Sequence, residues 1–229
     1  MWNGKKKAVT FSFDDGVTQD IRLIEILDRY GLKATFNLNS SLLGLAGSLE
    51  RNGRWVSHDK VRAADLRAVY AGHEIAVHTL THPNLTKLDE ETIVHQVERD
   101  RLTLSELAGY PVVGMAYPCG GVNNDDRVAE IIKRRTGVRY ARTITSTASF
   151  TPSENLYRFD PTVYYIEDTL EVTVDRFLTA DAGLLYIWGH SYEMDAEYIT
   201  WERFEAVCRR LAGHSDIFYG TNREVLLAE

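Results

Sequence analysis

The sequence has little cysteine, little proline, a minority of positive charge and no long apolar run. Two cysteines in 229 residues, Cys119 and Cys208, cannot build a disulfide framework or a cysteine-based zinc module, which need several thiols at short spacings. Nothing approaches the ~20 consecutive apolar residues of a membrane span, so no membrane partner is expected. Lysine and arginine total 26 against 33 aspartates and glutamates, a net charge of −7. That excludes the broad, clustered basic surface that nucleic acid requires. With five prolines, no Pro/Gly/Ser linker, no low-complexity tract and no fixed-period repeat, the reading is one domain over residues 1–229. The opening MWNGKKKAVTFSFDDG leads from lysines straight into a short strand-like run, without the apolar segment and small-residue cleavage site of a secretory leader. The expected location is cytoplasmic.

What is present is an alternation. Residues 8–13 (AVTFSF) are apolar and β-rich and end in Asp14-Asp15-Gly16. Residues 19–30 carry Ile21, Ile24 and Leu27 at helical spacing, with Gly31 as a stop. Further strand-like runs lie at 33–39, 73–78, 112–116, 139–143, 184–188 and 216–219. Helix-like stretches lie at 58–71, 89–108, 125–135 and 201–211. Repeated strand-then-helix order predicts an α/β fold with a mainly parallel sheet, either a barrel or an open sheet. In such folds ligand sites form at the carboxyl ends of strands. The polar residues able to do chemistry sit just there: Asp14-Asp15, His78 to His82, Pro118-Cys119-Gly120 and His190. Four clusters at equivalent places predict one shared site.

Asp14 and Asp15 are adjacent at a strand end and so point in different directions, which lets one bind a metal while the other faces a water. A plain turn would also explain Asp-Asp-Gly. His78 and His82 are four apart, and Pro83 makes a long helix there unfavourable, so a turn or loop is expected after the strand. Three of the seven histidines, His73, His78 and His82, fall within ten residues, which favours ligation over a pair of structural imidazoles. One aspartate and two histidines form an O/N donor set that suits one divalent ion, zinc first and cobalt, nickel or iron as alternatives, and leaves positions open for water and substrate. His190, in Gly-His-Ser after an apolar strand, reads either as a structural histidine or, at a strand end opposite a candidate metal, as a general acid. Tyr117-Pro118-Cys119-Gly120-Gly121 reads as a rigid loop offering a backbone N–H to an oxyanion. No sequence neighbour activates the Cys119 thiol, so a cysteine nucleophile is not expected.

SFDDGV, HTLTH, AYPCG and WGH, in this order from residue 8 to residue 190, resemble the polysaccharide deacetylase family, carbohydrate esterase family 4. The resemblance implies a distorted (β/α) barrel of about seven parallel strands, with the active site at their C-terminal ends. It implies a metal-dependent hydrolase that removes N-acetyl groups from an amino-sugar, oligosaccharide or polysaccharide. By the same resemblance Asp15, His78 and His82 are metal ligands, Asp14 is the base on a metal-bound water, and His190 is the acid that protonates the leaving amine. The Cys119 N–H, in the loop that Tyr117 opens, is the oxyanion donor, and Trp188 helps contain the acetyl methyl group.

The chain departs from that family pattern in three places. Ala116 stands where the third motif usually opens with an arginine that pairs with the catalytic aspartate. Cys119 stands where an aromatic residue is common. No clear aspartate-rich fourth motif orients the acid histidine; Asp160 and Asp168 are the nearest carboxylates for that role. A base beside a metal needs a countercharge, and Arg142, on the strand after the next helix, is expected to supply the one missing at Ala116. The departures leave the substrate open. Two other readings stay beside an N-acetylated carbohydrate: a small non-sugar amide, imide or ureide hydrolysed by the same chemistry, and a non-catalytic carbohydrate-binding descendant. Trp55, Tyr164, Tyr165 and Tyr192 are aromatics able to stack on sugar rings.

Overall fold

A computed structural model describes residues 2–227. The main-sheet strands are β1 (Lys7–Asp14), β2 (Ala34–Leu38), β5 (Glu74–Val77), β6 (Gly114–Ala116), β7 (Tyr140–Arg142), β8 (Val163–Tyr164), β9 (Gly183–Gly189) and β10 (Ile217–Tyr219). Between them in sequence, β3 (Ser48–Arg51) and β4 (Arg54–Ser57) form a separate hairpin. Seven strands run in the order β7-β6-β5-β2-β1-β9-β8, all neighbours parallel, and β10 pairs with the first residues of β1. The sheet curls until its two edges meet through a parallel bridge from Arg142 to Phe159, just ahead of β8. This is the expected distorted barrel of about seven parallel strands.

The alternation of each strand explains the two sides of the wall. Outward residues Val9, Phe11, Phe13, Phe36, Ile75 and Leu185 join the main apolar core. Helices α1 (Asp20–Arg29), α3 (Glu90–Ala108), α4 (Asp126–Arg135), α5 (Leu170–Thr179) and α7 (Trp201–Leu211) complete that layer with one buried stripe each. The longest of them, α3, starts where the Asp89 carboxylate accepts from the Thr92 amide at 2.9 Å, and it stops at Gly109, whose φ of +85° only glycine adopts cheaply.

Several inward residues of the same strands are polar and hydrogen-bond to one another along the barrel axis, beside a smaller apolar cluster of Ala8, Leu184, Tyr186 and Trp188. Glu74 accepts from Thr35 and Tyr140. Asn222, at the start of α8 (Asn222–Leu226), donates its amide to Thr35, accepts from Thr10 and donates to Tyr186. Asn37 and Arg142 both donate to Ser12, and both reach Asp14 at the top. A buried polar group left unpaired costs about 1–3 kcal/mol, so this lumen holds together as a set.

Several stretches differ from the sequence reading. Residues 58–71, expected to be helical, hold only a short 3₁₀ turn (Ala63–Asp65) and the single turn α2 (Leu66–Val69). The backbone of 58–61 is tied elsewhere: His58 N donates to Gly47 O, Lys60 N to Leu45 O and Val61 N to Gly16 O. Residues 48–57, unassigned from the sequence, form the hairpin. Its turn is Asn52-Gly53, both at positive φ, the pair that a two-residue hairpin turn favours. Helix α5 was likewise unassigned.

Gly114 marks how tightly the lumen is filled. A Cβ there would meet the Tyr140 hydroxyl oxygen at 2.1 Å and its ring at 2.3 Å. Gly114→Ala is therefore expected to lower the urea midpoint by an amount equivalent to about 1–3 kcal/mol, the usual cost of overpacking, with an unchanged m-value. A midpoint equal to wild type would show that the Tyr140 ring has room to move.

Candidate active site

The site sits at the carboxyl ends of β1, β5 and β9 and in the loop after β6. Asp14 is the last residue of β1 and keeps the inward orientation of Thr10 and Ser12. Asp15 follows at φ +82°, a left-handed conformation costly for an aspartate. Lys60, buried, donates to the Asp15 carbonyl at 2.7 Å, and the Asp15 amide donates to Asn37 O. These bonds hold the strained turn, so two consecutive carboxylates enter one cavity by different routes.

His78 follows β5. Its amide donates to Leu38 O and to the buried Asp100 carboxylate, and Asn39 Nδ2 donates to the carbonyls of His78 and Thr79. Thr79 and His82 both have positive φ, so the chain turns sharply and brings the two imidazoles together, edge to face with centroids 4.8 Å apart. There is no helix through 78–82, as Pro83 suggested. His73 does not join them. It lies at the opposite end of β5, with Nδ1 accepting from the Ala34 amide and Nε2 3.2 Å from Asp28.

Asp15, His78 and His82 each present one ligand atom, and these atoms lie within 4.8 Å of one another. His78 Nδ1 is 2.9 Å from Ala116 O. A carbonyl only accepts, so Nδ1 carries the proton and the bare Nε2 faces Asp15 Oδ1 at 3.9 Å. His82 Nε2 is 3.6 Å from the same oxygen, and its Nδ1 faces Cys119 Sγ at 3.8 Å. Burial holds His78 neutral, pushed down to about 4. Burial opposes the Asp15 charge, yet His58 and Lys60 outweigh it and keep the carboxyl well below its usual range. Two neutral imidazoles and one ionised carboxylate are the donor set a borderline divalent ion takes, so the residues fit such an ion.

Arg142 is fully buried, and its Nη2 lies 2.5 Å from each Asp14 carboxylate oxygen. Nη1 donates to Thr143 O, and the guanidinium lies 4.5 Å over the Trp188 ring. Asn37 Nδ2 donates to Asp14 Oδ1 at 2.8 Å. Burial would raise the Asp14 pKa, but Arg142 prevails and the carboxyl sits below its ordinary value. Arg142 is the register partner of Ala116 on β6, so the guanidinium reaches Asp14 from the strand beside the one where the family resemblance places it.

His190 Nε2 is 4.0 Å from Asp14 Oδ2. Its other face meets Glu193, a residue the sequence did not single out. Glu193 Oε2 lies 3.3 Å from His190 Nδ1 and accepts from the His190 amide at 3.1 Å, while Tyr164 donates to Glu193 Oε1. Burial disfavours the imidazolium, but Glu193 and, more weakly, Asp15 and Asp14 raise His190 to about 9. Asp160, proposed for this role from sequence, instead accepts from Thr143. Asp168 makes no hydrogen bond to His190 among those of the described residues. The signal for Glu193 was its three-residue spacing from His190 where the short helix α6 (Tyr192–Asp195) begins.

In the loop after β6, Asn123 Nδ2 donates to the carbonyls of Tyr117, Pro118 and Cys119, and Cys119 has a φ of +71°. The Tyr117 hydroxyl donates to Tyr157 O at 2.7 Å, so only its ring reaches the cavity. Trp188 stacks on Tyr164, centroids 4.2 Å apart, and the pair forms one wall. Tyr192 also lines the cavity. Tyr165 is fully buried behind it. Trp55 pairs across the hairpin with Glu50, on the face opposite Leu49 and Arg51, which line the cavity; it is 73% exposed and does not face the site.

A curled parallel α/β barrel with a carboxylate–imidazole–imidazole cluster and a separate Asp/His pair at its strand ends defines a class of metal-site hydrolase folds. The chain belongs to the polysaccharide deacetylase family, whose model matches residues 2–141. It is 28% identical over 129 residues to the peptidoglycan-N-acetylglucosamine deacetylase PgdA of Listeria monocytogenes, covering 55% of this chain and 24% of that protein. It is 29% identical over 119 residues to a peptidoglycan-N-acetylglucosamine deacetylase of Bacillus cereus, covering 51% of this chain and 38% of that one. The chain thus spans less than half the length of these relatives. Among solved structures, a family 4 carbohydrate esterase from Streptomyces lividans in complex with acetate shares the fold with a TM-score of 0.59 at 16% identity, over 95% of this chain and 93% of that one. The Xyl-CE4 domain of a multidomain xylanase from the hindgut metagenome of Trinervitermes trinervoides does so with a TM-score of 0.61 at 19% identity, over 97% and 91%.

The Arg142–Asp14 pair carries a test of its own. Breaking a buried pair by removing one partner costs about 3–5 kcal/mol, and Arg142→Met is expected to lose that much at pH 7. The Asp14 pKa is depressed in the fold, so the pair's contribution is in place above the ordinary carboxylate pKa of ~3.9 and is lost as pH falls through the lower folded value. The stability gap between wild type and Arg142→Met should therefore narrow in acid. A gap independent of pH would refute the ion-pair account.

Proposed function

We propose that this chain is a hydrolase of carbon–nitrogen bonds that removes the acetyl group from the nitrogen of an N-acetylated amino sugar within a saccharide. The observation that carries the reading is the convergence of Asp14 and His190, 4.0 Å apart, on the cavity that also holds the Asp15–His78–His82 cluster. Family membership and the names of its relatives support a carbohydrate substrate over the small-amide alternative. Asp15, His78 and His82 would hold one divalent ion, zinc before cobalt, nickel or iron, whose chemistry when bound is to polarise a carbonyl and to make water acidic near neutral pH.

The chain's own groups divide the proton work. Asp14, ionised and aimed by Arg142 and Asn37, takes the proton of the attacking water. Glu193 engages Nδ1 of His190, which leaves Nε2–H directed at the cavity and the ring charged. That Nε2–H is delivered to the departing nitrogen, so an amine leaves rather than an amide anion. The loop held by Asn123 offers the Cys119 N–H to the developing oxyanion, and the Trp188–Tyr164 wall encloses the acetyl methyl group. The Cys119 thiol takes no part, since burial raises its pKa.

Two experiments test this. Asp14→Asn is expected to keep the metal content of wild type, measured by elemental analysis, and to lose acetate release from an N-acetylglucosamine tetramer by about a hundredfold or more, the usual worth of a positioned base; His78→Ala and His82→Ala should lose the metal itself. Retention of turnover by Asp14→Asn would overturn the base assignment. Because His190 must be protonated to donate, activity falls as pH rises through its pKa. Glu193→Gln removes the charge that raises it, so the alkaline limb of kcat should move to lower pH. An unmoved limb would argue against Glu193 as the residue holding the imidazolium.

A further inference from the structure

The cavity has a volume of about 640 Å³, within the range of small-ligand sites, and among the described residues its wall contains one charged side chain, Arg51, with no ion-pair partner. Asp14 spends its charge on Arg142, and Asp15 on His58, Lys60 and the ligand cluster. Lys60 is taken up by Asp15, and Glu193 by His190. Arg51, from β3, also lines the cavity. Its Nη1 donates to the neighbouring Glu50 carbonyl at 3.0 Å, and its guanidinium stands beside the Tyr192 hydroxyl, whose ionisation it favours against a larger effect of burial. No carboxylate lies within ion-pair distance of it among the described residues. Its cross-strand partner Arg54 shares that hairpin face, but Arg54 is neutralised by Glu197 at 2.6 Å.

The hairpin that carries Arg51 is anchored at the rim of the cavity. Asn52 Nδ2 donates to Ala196 O at 3.0 Å, and the Asn52 amide donates to the Tyr198 hydroxyl at 3.2 Å. Val56 packs with Val17, Tyr192 and Ala196. The guanidinium is thus presented from an anchored element. A planar fork of donors at the wall of a concave site reads a carboxylate or phosphate bidentately. A neutral sugar offers it nothing of matching charge.

We propose that Arg51 forms a subsite for an anionic group, so that the preferred substrate is an acylated amino sugar carrying a carboxylate or phosphate on or next to the unit being deacetylated. The inference rests on the deacetylase reading of the same cavity. Its test compares three saccharides of equal length: a neutral N-acetylglucosamine tetramer, a peptide-free peptidoglycan tetrasaccharide with a carboxylate on alternate sugars, and an N-acetylglucosamine tetramer bearing one phosphate. With wild type, kcat/KM for one of the two charged substrates should exceed that for the neutral one by tenfold or more, and which one it is identifies the anion. In Arg51→Gln the ratio should collapse towards one through a rise in KM for the charged substrate. Arg51→Lys should restore only part, since it keeps the charge without the fork. Equal turnover of all three by wild type, or a preference that survives Arg51→Gln, overturns the proposal. If no saccharide turns over, the deacetylase reading fails and calorimetric binding decides the subsite separately: tenfold weaker binding of a charged tetramer to Arg51→Gln supports it, and equal binding to both proteins refutes it.

Discussion

A guanidinium and a carboxylate, both withdrawn from water inside a barrel, set the terms for the rest of this structure. Each ion would cost several kcal/mol to bury alone. Arg142 offsets the cost by distributing its donors over Asp14, Ser12 and Thr143, with its face on Trp188. Those partners must in turn be placed, and the chain places them with inward polar residues on β1, β2, β5, β7 and β9. The apolar work of folding is moved to the outer face, where the same strands present phenylalanine, valine and leucine to the helices. The barrel interior is therefore organised by hydrogen bonding together with one small apolar cluster, and its exterior by burial.

The consequence for the site is rigidity of Asp14 and of the turn at Asp15. Asp14 is fixed by the lumen below it. Asp15 is fixed by residues from outside the barrel, His58 and Lys60, which arrive on the segment after β4. A left-handed aspartate costs of order 1–3 kcal/mol, and the buried lysine on its carbonyl is what the surrounding structure supplies against it. The hairpin insertion thus has two attachments to the site: one steadies Asp15, and the other carries Arg51.

What the sequence disclosed follows from how local each signal is. The strands, their order with the helices, and the polar residues at their ends could be read because strand alternation and strand-end placement are properties of short segments. Arg142 could be anticipated because neighbouring parallel strands are close, and a missing charge leaves a definite vacancy to fill. Glu193 was overlooked because its partnership with His190 depends on the chain turning into α6 immediately after β9. His58 and Lys60 were overlooked because long-range backbone bonds to residues 16, 45 and 47 override the helical pattern of 58–71. Conversely, His73 counted toward the local cluster of histidines by proximity in sequence, although one strand length separates it from His78. Local periodicity does not tell which end of a strand faces the site.

The pairing of Ala116 with Arg142 across β6 and β7 bears on how such a site changes over evolutionary time. By the family resemblance, an arginine at 116 would address the same carboxylate that Arg142 pairs with in this chain. An arginine gained at 116 while 142 is still arginine would crowd two cations onto Asp14. An arginine lost at 142 while 116 is still alanine would strand a buried anion. Either intermediate leaves a buried charge badly compensated, so substitutions at the two positions are expected to be non-additive.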